Sequence, residues 1–262
     1  MDRRHFLGAV AGGVAAGVLG SGSVAQAQTK PEIAAPGQAK PEIKGLAFDA
    51  FTVFDPGSVT ARAEAAFPGK GADLATAWKT RMFEYSWLRC CAGKYADFWH
   101  ITEDALVYAA KLHKLDLTAQ KREQLMHAWL ELQAYPDAYG PLKELKSRGL
   151  RMAFLANMTP PMLEAAIKNA KLEGYFDILS TDRIKTYKPD PKSYQMAIDA
   201  FKLTKEQIAY VAFGPWDAVG AKWFGYRTYW ITRLDVPAEE CGVTIDGAGK
   251  NLADLVRMLG QV

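Results

Sequence analysis

Cysteine is scarce in this chain: Cys90, Cys91 and Cys241 are an odd number without metal-ligand spacing, which argues against a disulfide framework and a thiolate zinc site. The adjacent pair falls in a helical pattern and is read as small buried thiols rather than a strained vicinal disulfide. Histidine is nearly as scarce, with His5, His100, His113 and His127 forming no close pair at ligand spacing, so surface or packing roles are assigned and no metal is expected. Blocks of like charge are missing too. The 32 basic and 29 acidic residues are interspersed, and a net charge of +3 gives no basis for a nucleic-acid partner. Uninterrupted apolar runs of membrane-spanning length are also lacking, because the apolar stretch near the start is broken by Gly8, Gly12, Gly13, Gly17 and Gly20. What remains is an ordinary globular composition, 49% hydrophobic and 11% aromatic over 262 residues, enough to bury a real core.

Residues 1–27 are read as an address. Arg3 and Arg4 precede the weakly hydrophobic stretch, which closes on Ala25-Gln26-Ala27, the small-x-small pattern that a signal peptidase accepts. This resembles a twin-arginine export signal and implies the twin-arginine export machinery as a partner, a periplasmic destination and no stable membrane anchor after cleavage. Residues 28–43 repeat one tetrapeptide, Lys30-Pro31-Glu32-Ile33 and Lys40-Pro41-Glu42-Ile43, and read as a Pro-rich linker.

From residue 44 onward the pattern alternates. Short apolar runs read as strands at Ile43–Phe48, Met152–Leu155, Phe176–Leu179, Ala209–Phe213 and Thr228–Ile231. Helical patterns separate or follow them at Pro141–Arg148, Pro161–Ala170, Pro191–Phe201, Asp217–Phe224 and Leu252–Leu259. Such alternation demands a parallel sheet with helices on both faces, since parallel neighbours need crossover connections. Ligands then bind at the carboxyl ends of the strands, where Asp49, Asn157 and Asp217 fall. Residues 56–136 break the alternation as nearly continuous helix, with starts expected at Thr102 and Thr118, and read as a helical cap inserted into an α/β core made of 44–55 and 137–262.

Asp49-Ala50-Phe51-Thr52-Val53-Phe54-Asp55 after one strand, Asn157 after a second, Thr186-Tyr187-Lys188-Pro189-Asp190-Pro191, and Trp216-Asp217 after a fourth resemble the haloacid dehalogenase superfamily, most closely its type II (S)-2-haloacid dehalogenases. The resemblance implies a Rossmann-like core with a cap and hydrolysis of short (S)-2-haloalkanoic acids to (R)-2-hydroxy acids without cofactor or metal. A carboxylate can displace halide to form an ester that water then opens. On this resemblance Asp49 is the nucleophile, Lys188 keeps it ionised, Asp217 orients Lys188 or the water, Thr52 takes the family's threonine role, and Asn157 donates to the substrate carboxylate. Lys79 stands where the family has a halide-receiving arginine. Phe83, Phe98 and Trp216 match pocket-lining positions, Phe51 with Trp216 would supply an apolar wall for a small organic substrate, and Tyr194 matches a tyrosine near the site. A homodimer is implied in the same way.

Several positions depart from the family pattern. The first motif is one residue shorter and lacks its glycine, and Ala156, Ala212 and Gly214 replace polar residues. A magnesium phosphatase is disfavoured because Phe51 stands where that chemistry needs a second acid. The same scaffold acting on another small carboxylate, or a catalytically silent binding protein, are the rival readings.

Overall fold

The computed structural model describes residues 41–260. The export signal and most of the 28–43 linker therefore lie outside the described residues. The strands are β1 (Gly45–Phe48), β2 (Phe54–Asp55), β3 (Gln133–Ala134), β4 (Arg151–Ala156), β5 (Asp177–Ser180), β6 (Ile208–Ala212), β7 (Arg227–Ile231) and β8 (Gly247–Gly249). The helices are α1 (Gly57–Ala66), α2 (Gly71–Ala92), α3 (Phe98–Leu112), α4 (Ala119–His127), α5 (Tyr139–Ser147), α6 (Pro160–Asn169), α7 (Pro191–Phe201), α8 (Pro215–Phe224) and α9 (Leu252–Leu259).

Six strands form one sheet in the order β5-β4-β1-β6-β7-β8, with every pairing parallel. The chain builds outward from β1 through β4 to β5, then returns to the other side of β1 for β6, β7 and β8. This reversal at β1 opens a crevice at the carboxyl ends of β1, β4 and β6. Side chains alternate faces as strand geometry requires. Leu46, Phe48, Phe154 and Val211 enter a core shared with α5, α6, α9 and the helical segment, while Ala47, Ala153, Leu155 and Tyr210 pack beneath α7 and α8. Residues flanked by apolar neighbours on both faces explain why these strands read as continuous hydrophobic runs.

The expected helices α7 and α9 fall on the residues foreseen, and α5, α6 and α8 begin one or two residues earlier. The helical segment α1–α4 lies between β2 and β3, which pair antiparallel as its stem. Two expectations are corrected here. Thr102 does not start a helix: Asp97 caps α3 by accepting from the His100 N–H, and Thr102 lies inside it with its hydroxyl donated to the Phe98 carbonyl. The cysteines are not uniformly buried, since Cys90 is half-buried and Cys91 and Cys241 are exposed, although all three are free. Among the described residues no helix is long and apolar enough to cross a membrane.

Candidate active site

Asp49 leaves β1 and caps a 3-10 turn over Ala50–Thr52, its Oδ1 accepting the Phe51 N–H at 2.8 Å. The Thr52 hydroxyl donates to the Asp49 carbonyl at 2.7 Å, closing the same turn. Thr52 thus shapes the turn and does not line the cavity. Arg233, just past β7, donates to the Thr52 carbonyl through Nη2 at 3.0 Å and grips Asp137 with both terminal nitrogens at 2.8 and 3.0 Å. The first motif is therefore pinned from within and from behind.

Lys188 is buried, and its ammonium meets Asp49 Oδ2 at 2.5 Å, Asp217 Oδ2 at 2.8 Å and Tyr210 Oη at 2.8 Å. A lysine ammonium has three N–H donors, so these three acceptors use all of them. Asp217, in the first turn of α8, is fully buried and receives Tyr210 Oη on Oδ2 at 2.7 Å and Tyr194 Oη on Oδ1 at 2.8 Å. The small residue Gly220 lets α8 come this close, because an added Cβ would lie 2.8 Å from Pro189 Cβ and run into Tyr194 Oη.

Burial by itself would pull the Lys188 pKa down, but the adjoining charges of Asp217 and Asp49 outweigh it and hold the ammonium above its ordinary range. Burial pushes the Asp217 carboxyl up, Lys188 draws it back, and the Asp49 charge pushes it up again. Lys188 moves upward because two carboxylates adjoin it, and Asp217 moves upward because burial, with the Asp49 charge, outweighs the pull of Lys188. Tyr194 and Tyr210 are pushed well above the ordinary phenol range, by burial first and by Asp217 next, so both remain proton donors.

Asn157, just past β4, accepts the Lys188 backbone N–H on Oδ1 at 3.0 Å, with the Thr181 hydroxyl 3.4 Å away. Both neighbours are donors, which fixes the oxygen toward them and turns the amide nitrogen the other way. That nitrogen is buried without a hydrogen-bond partner. Asn157 and Asp49 line one small cavity together with Ala50, Phe51, Phe83, Phe98, Ala156, Met158, Lys188 and Trp216. Its volume is about 10 Å³, on the scale where roughly 10–15 Å³ holds one water molecule. Wider grooves lie elsewhere on the surface, and one between α2 and α3 carries none of the candidate residues.

Two aromatic clusters contribute to the wall. Trp216 packs on Phe83 and Trp87 at centroid distances of 5.3 Å each, and Phe51 packs on Trp129 and Phe213 at 6.0 and 5.8 Å. Gly214 makes room for this arrangement, since a Cβ there would sit 2.7 Å from Trp216 Nε1.

The structure brings Asp49, Asn157, Lys188, Phe51, Phe83, Phe98 and Trp216 to one cavity and sets Asp217 directly behind it. It places Lys79 elsewhere: Nζ donates to Thr60 Oγ1 at 3.1 Å and the side chain is absent from the cavity wall. Burial lowers the Lys79 pKa, opposed by Asp55. Arg81 faces another way, paired with Glu84 at 2.9 Å and stacked over Tyr108, as residues two apart on a helix must diverge. Tyr194 supports Asp217 and does not reach the cavity. Sequence reasoning missed Tyr210 and Arg233. A tyrosine within an otherwise aliphatic buried strand is a usable signal, because a buried phenol needs a partner; nothing local marks Arg233.

The arrangement offers a carboxylate oxygen at a small, mostly apolar cavity, a fixed cation on its second oxygen, and an unpaired amide donor beside it. Asp49 and Asp217 are the acids that a divalent cation would need, and the Lys188 ammonium already occupies the space between them.

Comparison with known proteins points to one family. A family described as haloacid dehalogenase-like hydrolase matches residues 16–225. The (S)-2-haloacid dehalogenase of Pseudomonas sp. (strain YL) is 39% identical over 218 residues, covering 82% of this chain and 94% of that one. The crystal structure of an L-2-haloacid dehalogenase superposes with a TM-score of 0.82 at 39% identity, covering 84% of this chain and 100% of that one. The L-2-haloacid dehalogenase from Xanthobacter autotrophicus, with chloropropionic acid covalently bound, superposes with a TM-score of 0.77 at 32% identity, covering 83% and 98%.

Proposed function

The chain belongs to the haloacid dehalogenase-like hydrolases, and from that premise we propose that it hydrolyses short (S)-2-haloalkanoic acids through an ester at Asp49. The observation that carries this reading is the set of contacts on Asp49. Its Oδ2 is held by the Lys188 ammonium, while Oδ1 carries only a neutral backbone N–H, and the residue lines a mostly apolar cavity. Oδ1 is thus the freer nucleophile. It attacks C2 of the substrate from the side opposite the halogen, the carbon–halogen bond breaks, and halide leaves with the bonding pair. The configuration at C2 inverts from S to R.

Water then adds to the ester carbonyl carbon of Asp49. Negative charge develops on Oδ2, which already touches Lys188, so a preorganised cation meets it. The carbon–Oδ1 bond breaks, the hydroxy acid departs with that oxygen and one proton from water, the second proton goes to solvent, and the water oxygen remains in Asp49. The unpaired Asn157 amide is the donor for the substrate carboxylate. With Lys188 saturated and Ala156 lacking a hydroxyl, few other side-chain donors face the cavity.

Halide release from each enantiomer of 2-chloropropionate in the presence of EDTA tests the reading. Release from the S enantiomer alone, lost in Asp49→Asn, is the expected result; release that depends on magnesium, or survives Asp49→Asn, contradicts it. The helical segment α1–α4 acts as the cap, and its aromatic residues Phe83 and Phe98 close the site from water. Export through the twin-arginine route to the periplasm rests on Arg3-Arg4 and Ala25-Gln26-Ala27 and is checked by cell fractionation. A homodimer rests on the family resemblance and is checked by sedimentation.

A further inference from the structure

We infer that Tyr210 is a positioning residue for the second half of the reaction, keeping Lys188 aimed at Asp49 Oδ2 while Asp49 is esterified. This rests on the ester mechanism proposed above. Three hydrogen bonds form a closed triangle: Lys188 Nζ to Tyr210 Oη at 2.8 Å, Tyr210 Oη to Asp217 Oδ2 at 2.7 Å, and Lys188 Nζ to Asp217 Oδ2 at 2.8 Å. The phenol accepts from the ammonium with its oxygen and donates its proton to the carboxylate, so neither bond competes with the other. With two N–H groups engaged in the triangle, rotation about the Lys188 Cε–Nζ bond is fixed and the third points at Asp49.

Charge makes this matter at one stage more than the other. Before reaction, Asp49 and Asp217 are both anionic, and each draws the ammonium toward itself. Once Asp49 is an ester it is neutral, and Asp217 alone pulls on the cation. Tyr210 then occupies the N–H that would otherwise swing toward Asp217, and it supplies that carboxylate with a donor in exchange. The neighbouring groups offer no substitute. From α7, Tyr194 reaches only Asp217 Oδ1 and the Asp217 carbonyl. Tyr226, whose ring stacks on Tyr210 at 6.2 Å and 9°, gives its hydroxyl to the Tyr194 carbonyl.

The position in the sheet is built for the ring. Tyr210 on β6 pairs in register with Ala47 on β1, which pairs in turn with Ala153 on β4, so two small residues extend across the sheet from the phenol on its own face.

The test compares Tyr210→Phe with Tyr226→Phe, which removes a buried hydroxyl from the same aromatic cluster without touching Lys188 or Asp217. Steady-state halide release from (S)-2-chloropropionate gives kcat and KM, and mass spectrometry of acid-quenched protein follows the Asp49 ester. In Tyr210→Phe, kcat is expected to fall about ten- to a hundredfold, as for loss of a hydrogen bond to a charged group. KM falls with it, kcat/KM stays near wild type, and the ester accumulates. The pH profile of kcat gives a second readout, since Asp217 loses a donor that favours its ionised form and the acidic limb moves to higher pH. Tyr226→Phe is expected to keep wild-type kcat and pH profile. Unchanged kcat in Tyr210→Phe, a parallel fall in kcat and kcat/KM without ester, or equal losses in both variants overturns the inference while leaving the mechanism standing. A wild-type protein that releases no halide and forms no ester overturns the mechanism itself, and the inference with it.

Discussion

Asp49, Asn157, Lys188 and Asp217 were legible in the sequence because each follows a short apolar run or sits in a proline-punctuated loop, and strand ends are where a parallel sheet exposes polar groups. The consequences of removing them follow from their contacts. Asp49→Asn is predicted to lower halide release at least about a thousandfold, the scale of losing a covalent nucleophile. Lys188→Met leaves Asp49 and Asp217 facing each other without a cation, at a stability cost of about 3–5 kcal/mol measurable by urea unfolding. The sign of the pH dependence is set by the raised Lys188 pKa. Its stabilisation is present in full below the ordinary value of 10.5 and is lost as pH rises through the higher folded value. Tyr194 and Tyr210, also raised, act in the same direction. The raised Asp217 pKa favours the folded state in acid and counts against it as pH rises through its folded value, so Asp217 is not a source of acid unfolding. Urea unfolding is therefore predicted to weaken steeply in the alkaline range for wild type and less steeply for Lys188→Met; equal slopes would contradict this. The role expected for Lys79 was not legible, because a charge at the right helix position says nothing about where a long side chain finds its partner, here Thr60.

At the scale of elements, the parallel alternation and the start of α7 at Pro191 were readable, whereas α8 starts at Pro215, two residues before the Asp217 start expected, although a proline suits a first helical turn. The start of α3 was not readable, since Asp97 and Thr102 are both good capping types and only the buried face of Phe98 and Ile101 decides between them. The close approach of α7 to α8 was also hidden, because it depends on a glycine whose neighbours are distant in sequence. Gly220→Ala is predicted to push Tyr194 Oη away from Asp217 and to lower kcat several-fold. A Tyr194→Phe background tests the cause: the penalty of Gly220→Ala should shrink there, and an undiminished penalty would show that the clash with Pro189 alone matters.

For the molecule as a whole, Phe83 of α2 and Phe98 of α3 meet Asp49, Asn157 and Lys188 around a cavity too small to hold a haloacid without some displacement of its aromatic wall. Phe83→Ala is accordingly predicted to raise kcat/KM for (S)-2-chlorobutyrate relative to chloroacetate by about tenfold, the scale of a methylene or two in an apolar pocket. An unchanged ratio would place the size limit elsewhere. The strand–helix alternation had indicated an α/β protein and the motif resemblance a metal-free site; the tight saturation of Lys188, which makes one cation serve two carboxylates, emerges only when β1, β6, α8 and the loop before α7 converge. The central claim is that the product oxygen comes from Asp49. With enzyme in excess over (S)-2-chloropropionate in oxygen-18 water, a single turnover should yield unlabelled hydroxy acid and one heavy oxygen in the peptide containing Asp49. Label in the product and none in Asp49 would mean that water attacks the substrate directly, and the account would fail.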